Sequence, residues 1–127
     1  SPFTAVREPD EHLSWIALDS SKPARVSSNC WVAQASPNWS RAHLEMDPDQ
    51  IADKMLSLFC ARTGFKAAAS VYTSAHRWLY AAVAKPLGKP FLSNKNKTLY
   101  FGGDWCLEAR VEAAWISGTA IAEDLLR

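Results

Sequence analysis

Thr98-Leu99-Tyr100-Phe101-Gly102-Gly103-Asp104-Trp105 is the stretch on which the fold turns, because it changes periodicity within eight residues. Its first four residues read as a short apolar strand. Two glycines and an aspartate then break the strand, and from about Glu108 to Leu126 the pattern becomes helical. Val111, Trp115, Gly118, Ala122 and Leu125 recur at spacings of four, three, four and three, which predicts one apolar stripe along that helix. Ala113, Ala114, Gly118 and Ala120 keep it slim enough for a neighbouring backbone to come close.

Upstream of this junction, Ser93 to Thr98 is rich in Asn and Lys and reads as an exposed turn. Between Lys66 and Val83, β-branched and aromatic residues predict two strands, Ala69 to Thr73 and His76 to Tyr80, ended by Pro86, Gly88 and Pro90. Two further strands are expected at Leu13 to Leu18 and Cys30 to Ala35, joined by a loop from Asp19 to Asn29. A short helix is expected over Trp39 to Glu45. The best-marked helix follows. Asp47 can cap it, Pro48 takes its first position, Gln50 completes a capping box, and Gly64 is placed to end it. Ile51, Met55, Leu58 and Phe59 form its packing face. The fold class is therefore α+β, a mainly antiparallel sheet of about five strands with about three helices.

The bulk properties narrow the function classes. Hydrophobic residues are 48% and charged residues 21% of 127, which predicts one folded domain rather than a disordered or membrane chain. Six tryptophans are unusually many for this length and point to core or interface anchors. A net charge of +1 gives no electrostatic footprint for a polyanion, so nucleic acid is not expected as a partner. Neither is a membrane, since no apolar run approaches a span. Cys30, Cys60 and Cys106 are odd in number and widely spaced, which disfavours a disulfide framework and a paired-thiolate zinc site. His12 and His43 lack partners for a metal site and read as surface residues. With no secretory signal in view, a reduced cytoplasmic setting is expected, and the two sequons at Asn38 and Asn96 read as chance matches.

The junction has chemical meaning if a flavin dinucleotide lies across it. Gly102 and Gly103 would let a bulky ligand approach the backbone, and the Asp104 carboxylate would accept hydrogen bonds from ribityl hydroxyls or lie near the pyrophosphate. The positive helix end at Arg110, Val111 and Glu112 would favour negative charge on a reduced flavin. Spacing alone does not select this over plain turn chemistry with Asp104 as a cap. On the expected strand His76 to Tyr80, alternation puts His76, Trp78 and Tyr80 on one face. They either line a substrate cavity, with His76 steering substrate or moving a proton, or form ordinary structure. Arg77 would meet either an anionic substrate group or a surface carboxylate. Cys106 reads as a small buried residue, and Trp115 as core.

Phe101-Gly102-Gly103-Asp104 followed by Arg110-Val111-Glu112-Ala113-Ala114-Trp115-Ile116-Ser117-Gly118 resembles the C-terminal FAD motif of the renalase-like and flavin-containing amine oxidase family. Ser20-Ser21-Lys22-Pro23, Trp39-Ser40 and His76-Arg77-Trp78-Leu79-Tyr80-Ala81 are similar to segments of the renalase-like branch, in the same order. The resemblance implies an FAD-dependent oxidoreductase that takes hydride from a reduced nicotinamide dinucleotide or an amine, with oxygen as final acceptor. It implies cofactor contacts at Gly103, Asp104, Arg110, Val111 and Glu112. It also implies that residues 1–97 are a substrate-domain portion and 98–127 the last strand and helix of an FAD-binding domain. Glu108, Ala109 and Ala113 stand where that family favours glycine, and an acidic Glu108 suits a flavin site only if it points to solvent. The Gly-x-Gly-x-x-Gly turn that holds the FAD pyrophosphate is absent from the sequence, so the chain is expected to be a fragment, inactive alone and completed by an N-terminal FAD-binding region. An apolar face left on the final helix would favour a homodimer of the fragment.

Overall fold

The apolar run that begins at Leu13 becomes the central strand of a three-stranded antiparallel sheet. The computed structural model describes residues 5–6, 10–25 and 29–127, which divide between two compact units, Ser1–Arg77 and Trp78–Arg127. In the first unit β1 (Ala5–Val6) pairs with β2 (Leu13–Leu18), and β2 pairs with β3 (Trp31–Ala35). Ile16, on the central strand, stands opposite both Val6 and Ala33, and it is 1% exposed. The register slips between Leu13 and Trp15, where the Ser14 hydroxyl donates to the carbonyl of Ala35. The connection after β2 opens with a tight turn at Asp19–Ser21, held by a 2.6 Å ion pair between Lys22 and Asp19.

Helix α1 (Pro37–Ala42) starts two residues earlier than the sequence pattern suggests. Ser36 is the reason. Its hydroxyl accepts the Trp39 amide and donates to the Glu11 carbonyl, while Pro37 brings a fixed φ to the first helical position. Helix α2 (Pro48–Thr63) starts and stops where expected, with Asp47 capping through Asp49 and not in a box with Gln50. The Asp47 carboxylate accepts the Asp49 amide, and Gly64 closes the helix at φ 78°, a left-handed conformation that glycine adopts freely. Phe59 from α2, Phe65 just beyond it and Trp31 of β3 meet in one aromatic cluster, with ring centroids 5.5–5.8 Å apart. That cluster packs the helix against the sheet.

Two expected strands are absent. Ala67–Ala69 forms a tight helical turn, and residues 70–78 are irregular. Val71 and Tyr72 are exposed, and the Ser70 hydroxyl bonds locally to Tyr72 and Thr73 rather than leaving the backbone to a ladder. Strand propensity reflects packing against cross-strand neighbours. Among the described residues this segment has none, so its β-branched composition does not make a sheet.

The second unit carries β4 (Leu92–Ser93), β5 (Tyr100–Phe101) and α3 (Val111–Leu125). The hairpin turn forms where the sequence expects it. Asn94 Oδ1 accepts the amides of Thr98 and Leu99, its amide nitrogen donates to the Thr98 hydroxyl, and Lys97 takes a left-handed φ of 52°. Among the described residues the architecture is α+β, with three helices and two small antiparallel sheets of three and two strands. The expected sheet of about five strands is not seen among the described residues, whose strands form these two sheets.

Helix α3 is turned away from its expected orientation. Ala113 and Ser117 are buried, with Ile121 and Asp124 half-buried beside them. The stripe of Val111, Trp115, Gly118, Ala122 and Leu125 faces outward instead, with Trp115 71% exposed. Packing wins over periodicity because Ser117 and Asp124 find specific partners on the hairpin side.

Candidate functional site

The end of β5 is fixed to α3 by one hydroxyl. Ser117 Oγ, fully buried, accepts the Gly103 amide at 2.9 Å and donates to the Pro90 carbonyl at 2.6 Å. A β-carbon at Gly102 would lie 2.5 Å from that oxygen and 2.7 Å from Ile121 Cδ1. Gly102 is therefore required by the approach of strand to helix within this chain. A β-carbon at Gly103 would meet the Trp105 indole at 2.8 Å.

Beyond the glycines the chain makes a tight turn at Asp104–Cys106. The Asp104 carboxylate accepts the Trp105 amide at 2.8 Å, and its carbonyl accepts the amides of Leu107 and Glu108. The turn is anchored from the other side as well. Leu87 and Gly88 donate their amides to the carbonyls of Trp105 and Cys106, and Gly88 takes a left-handed φ of 79°. Cys106 is fully buried and its thiol is free.

Arg110 is the N-cap of α3, in extended conformation, and no side chain caps the helix start. Val111 is 84% exposed, and Glu112 is exposed beside it. The Arg110 guanidinium pairs with Glu108 at 2.7 Å, both side chains lying in solvent. The structure thus groups Gly103 and Asp104, half-buried on a pinned turn, close in sequence to an open helix start at Arg110, Val111 and Glu112.

The substrate-side residues are placed differently from expectation. His76 is exposed in an irregular segment that ends the first unit, while Trp78 and Tyr80 belong to the second and are 72% and 94% exposed. With Leu79 and Tyr80 in a turn, the alternation that put His76, Trp78 and Tyr80 on one face does not apply. The Arg77 guanidinium donates to the Leu44 carbonyl. His43 stacks on Trp39 at 4.0 Å and is half-buried rather than a surface residue. A cavity of about 200 Å³ is lined by Asp10, His12, Leu13, Leu58, Ala61 and Arg62, all in the first unit. Among the described residues no group of three His, Cys, Asp or Glu is placed to hold a metal ion, and no helix is long and apolar enough to cross a membrane.

A second network was not visible in the sequence. The Lys97 ammonium and the Tyr100 hydroxyl both bond the Asp124 carboxylate, at 2.9 and 2.8 Å, tying the hairpin to the last turn of α3. The Lys97 bond, reinforced by Tyr100, holds the Asp124 carboxyl below its ordinary range, and the same carboxylate pushes the Tyr100 phenol above its own. The lowered Asp124 contributes stability above about pH 4 that is lost as pH falls through its depressed value. The raised Tyr100 contributes stability below about pH 10 that is lost as pH rises through its elevated value. Asp124→Asn is expected to flatten both limbs of the stability profile, measured as urea midpoint against pH. Unchanged limbs would show that the network carries no linkage.

No family model matches the sequence.

Proposed function

We propose that this chain is the C-terminal portion of an FAD-dependent oxidoreductase of the renalase-like and amine oxidase-like kind. Residues 98–127 serve as the last strand and helix of its FAD-binding domain, and 1–97 as part of its substrate domain. The reading rests on the sequence resemblance, and one structural observation supports it: Gly103 and Asp104 sit on a turn pinned from two sides, ahead of a helix start that no side chain caps. Glu108, the residue least suited to a flavin site, is ion-paired with Arg110 and exposed.

In this reading Asp104 would accept hydrogen bonds from ribityl hydroxyls or lie near the pyrophosphate. Arg110, Val111 and Glu112 would hold the flavin at the positive end of α3, which would favour negative charge on it. FAD, when bound, supplies the hydride acceptor for a reduced nicotinamide dinucleotide or amine, with oxygen as final acceptor. His76, Trp78 and Tyr80 take the substrate side, with His76 steering substrate or holding a proton. The setting is the reducing cytoplasm, and the 127 residues alone are inactive.

Protein purified from the full reading frame, including whatever coding sequence precedes Ser1, is expected to be yellow and to carry flavin absorbance. A colourless protein that takes up no added FAD would overturn the proposal. The second reading, a non-catalytic α+β interaction module, is favoured by one feature, the exposed aromatic and aliphatic side chains of Trp78, Tyr80 and Trp115. The two readings differ on the chain alone. If α3 has lost a covering domain, the 127-residue chain self-associates at high micromolar concentration, and Trp115→Lys restores the monomer in sedimentation velocity. A wild-type chain that stays monodisperse and monomeric would favour the module.

A further inference from the structure

We propose that Ser117 is a positioning residue for the cofactor-contact turn, an inference that rests on the flavin reading above. Three observations carry it. The hydroxyl is fully buried on the packed face of a helix, where a polar group is costly unless it is hydrogen-bonded. It works in both directions, as acceptor for Gly103 N–H and as donor to the Pro90 carbonyl. The residue it grips by the amide is the first of the candidate contacts, and the helix that carries it is the one whose start supplies Arg110, Val111 and Glu112.

Ser117 therefore ties the amide at the head of the Gly103–Asp104 turn directly to α3, in addition to the bonds from Leu87 and Gly88 at the far side of the turn. Gly102 makes the grip close, since no β-carbon stands between strand and hydroxyl. The loop at Pro90 is drawn into the same point, which adds a third segment to the clamp. A ligand that touched both the turn and the helix start would meet a preformed geometry, and loss of the hydroxyl would leave the Gly103 amide and the Pro90 carbonyl without that partner.

The test uses protein from the full reading frame, with Ser117→Ala and Ser117→Cys. Wild type is first shown to load FAD. Ser117→Ala is expected to bind FAD more weakly by on the order of tenfold or more. The visible absorption band of the fully loaded variant should shift, and the amides of residues 101–106 should exchange faster in deuterium-exchange mass spectrometry. Ser117→Cys, which keeps a weak donor and acceptor, should recover part of all three effects, and it carries the test if the alanine variant does not fold. A residue that only stabilised the fold would leave the band of the loaded protein where it is in wild type. Unchanged affinity and band in a loaded variant, or unchanged exchange at 101–106, would overturn the positioning role alone. A wild type that takes up no FAD would overturn the flavin reading beneath it.

Discussion

Gly102→Ala is expected to cost about 3 kcal/mol of stability, although the new residue adds only one methyl group. Three effects compete. Reducing the freedom of the unfolded chain favours alanine by about 0.4–1 kcal/mol. Against this, the added β-carbon would stand 2.5 Å from Ser117 Oγ and 2.7 Å from Ile121 Cδ1. Ile121 has a flexible tip and can give way, but the hydroxyl is fixed by bonds to Gly103 and Pro90. Moving it leaves buried polar groups unpaired, at about 1–3 kcal/mol, on top of about 1–3 kcal/mol for overpacking. Destabilisation therefore wins. Gly118→Ala is the internal control, because no atom lies within 4 Å of its would-be β-carbon and a helix-interior alanine is favoured by about 0.5–1 kcal/mol. Urea midpoints that move in the same direction for both variants would show that the contact at Gly102 is not what decides.

Ile16→Ala is expected to be as damaging in the first unit, at about 3–4 kcal/mol. Ile16 is the largest fully buried side chain there, on the strand that both others flank. Its neighbours across the ladder, Val6 and Ala33, are small, so little side-chain bulk is at hand to refill the space. Total stability of domains of this size is about 5–15 kcal/mol, so such a loss takes a large share of it. A urea midpoint corresponding to less than about 1 kcal/mol would place the core of this unit elsewhere.

These two sites also mark what the sequence could reveal. Asp47, Pro48 and Gly64 act through local geometry, and α2 begins and ends where they say. Leu13–Leu18 and Trp31–Ala35 were legible because each strand is short, largely apolar and bounded by polar turns. Ala69 to Tyr80 misled for a long-range reason: whether a β-branched run becomes a strand depends on a neighbour the run does not encode. Helix α3 misled in the opposite way, since its period was right and its facing was not. The orientation is set by Ser117 reaching Pro90 and by Asp124 reaching Lys97 and Tyr100, pairs 24–27 residues apart that no local pattern displays. Of the candidate site, the contiguous part at Gly103 to Glu112 could be located by reading along the chain. The common face of His76, Trp78 and Tyr80 depended on a strand that does not form.

The three thiols give the molecule a built-in clock. Cys30 is exposed, Cys60 half-buried and Cys106, the last residue of the turn that follows the glycines, wholly enclosed. A thiol-reactive dye would modify the first at once and the last only when that turn lifts. The waiting time for the third equivalent of label therefore counts opening events around Asp104–Cys106, with no foreign reporter in the chain. Anything that tightens the turn, a bound ligand included, lengthens the wait.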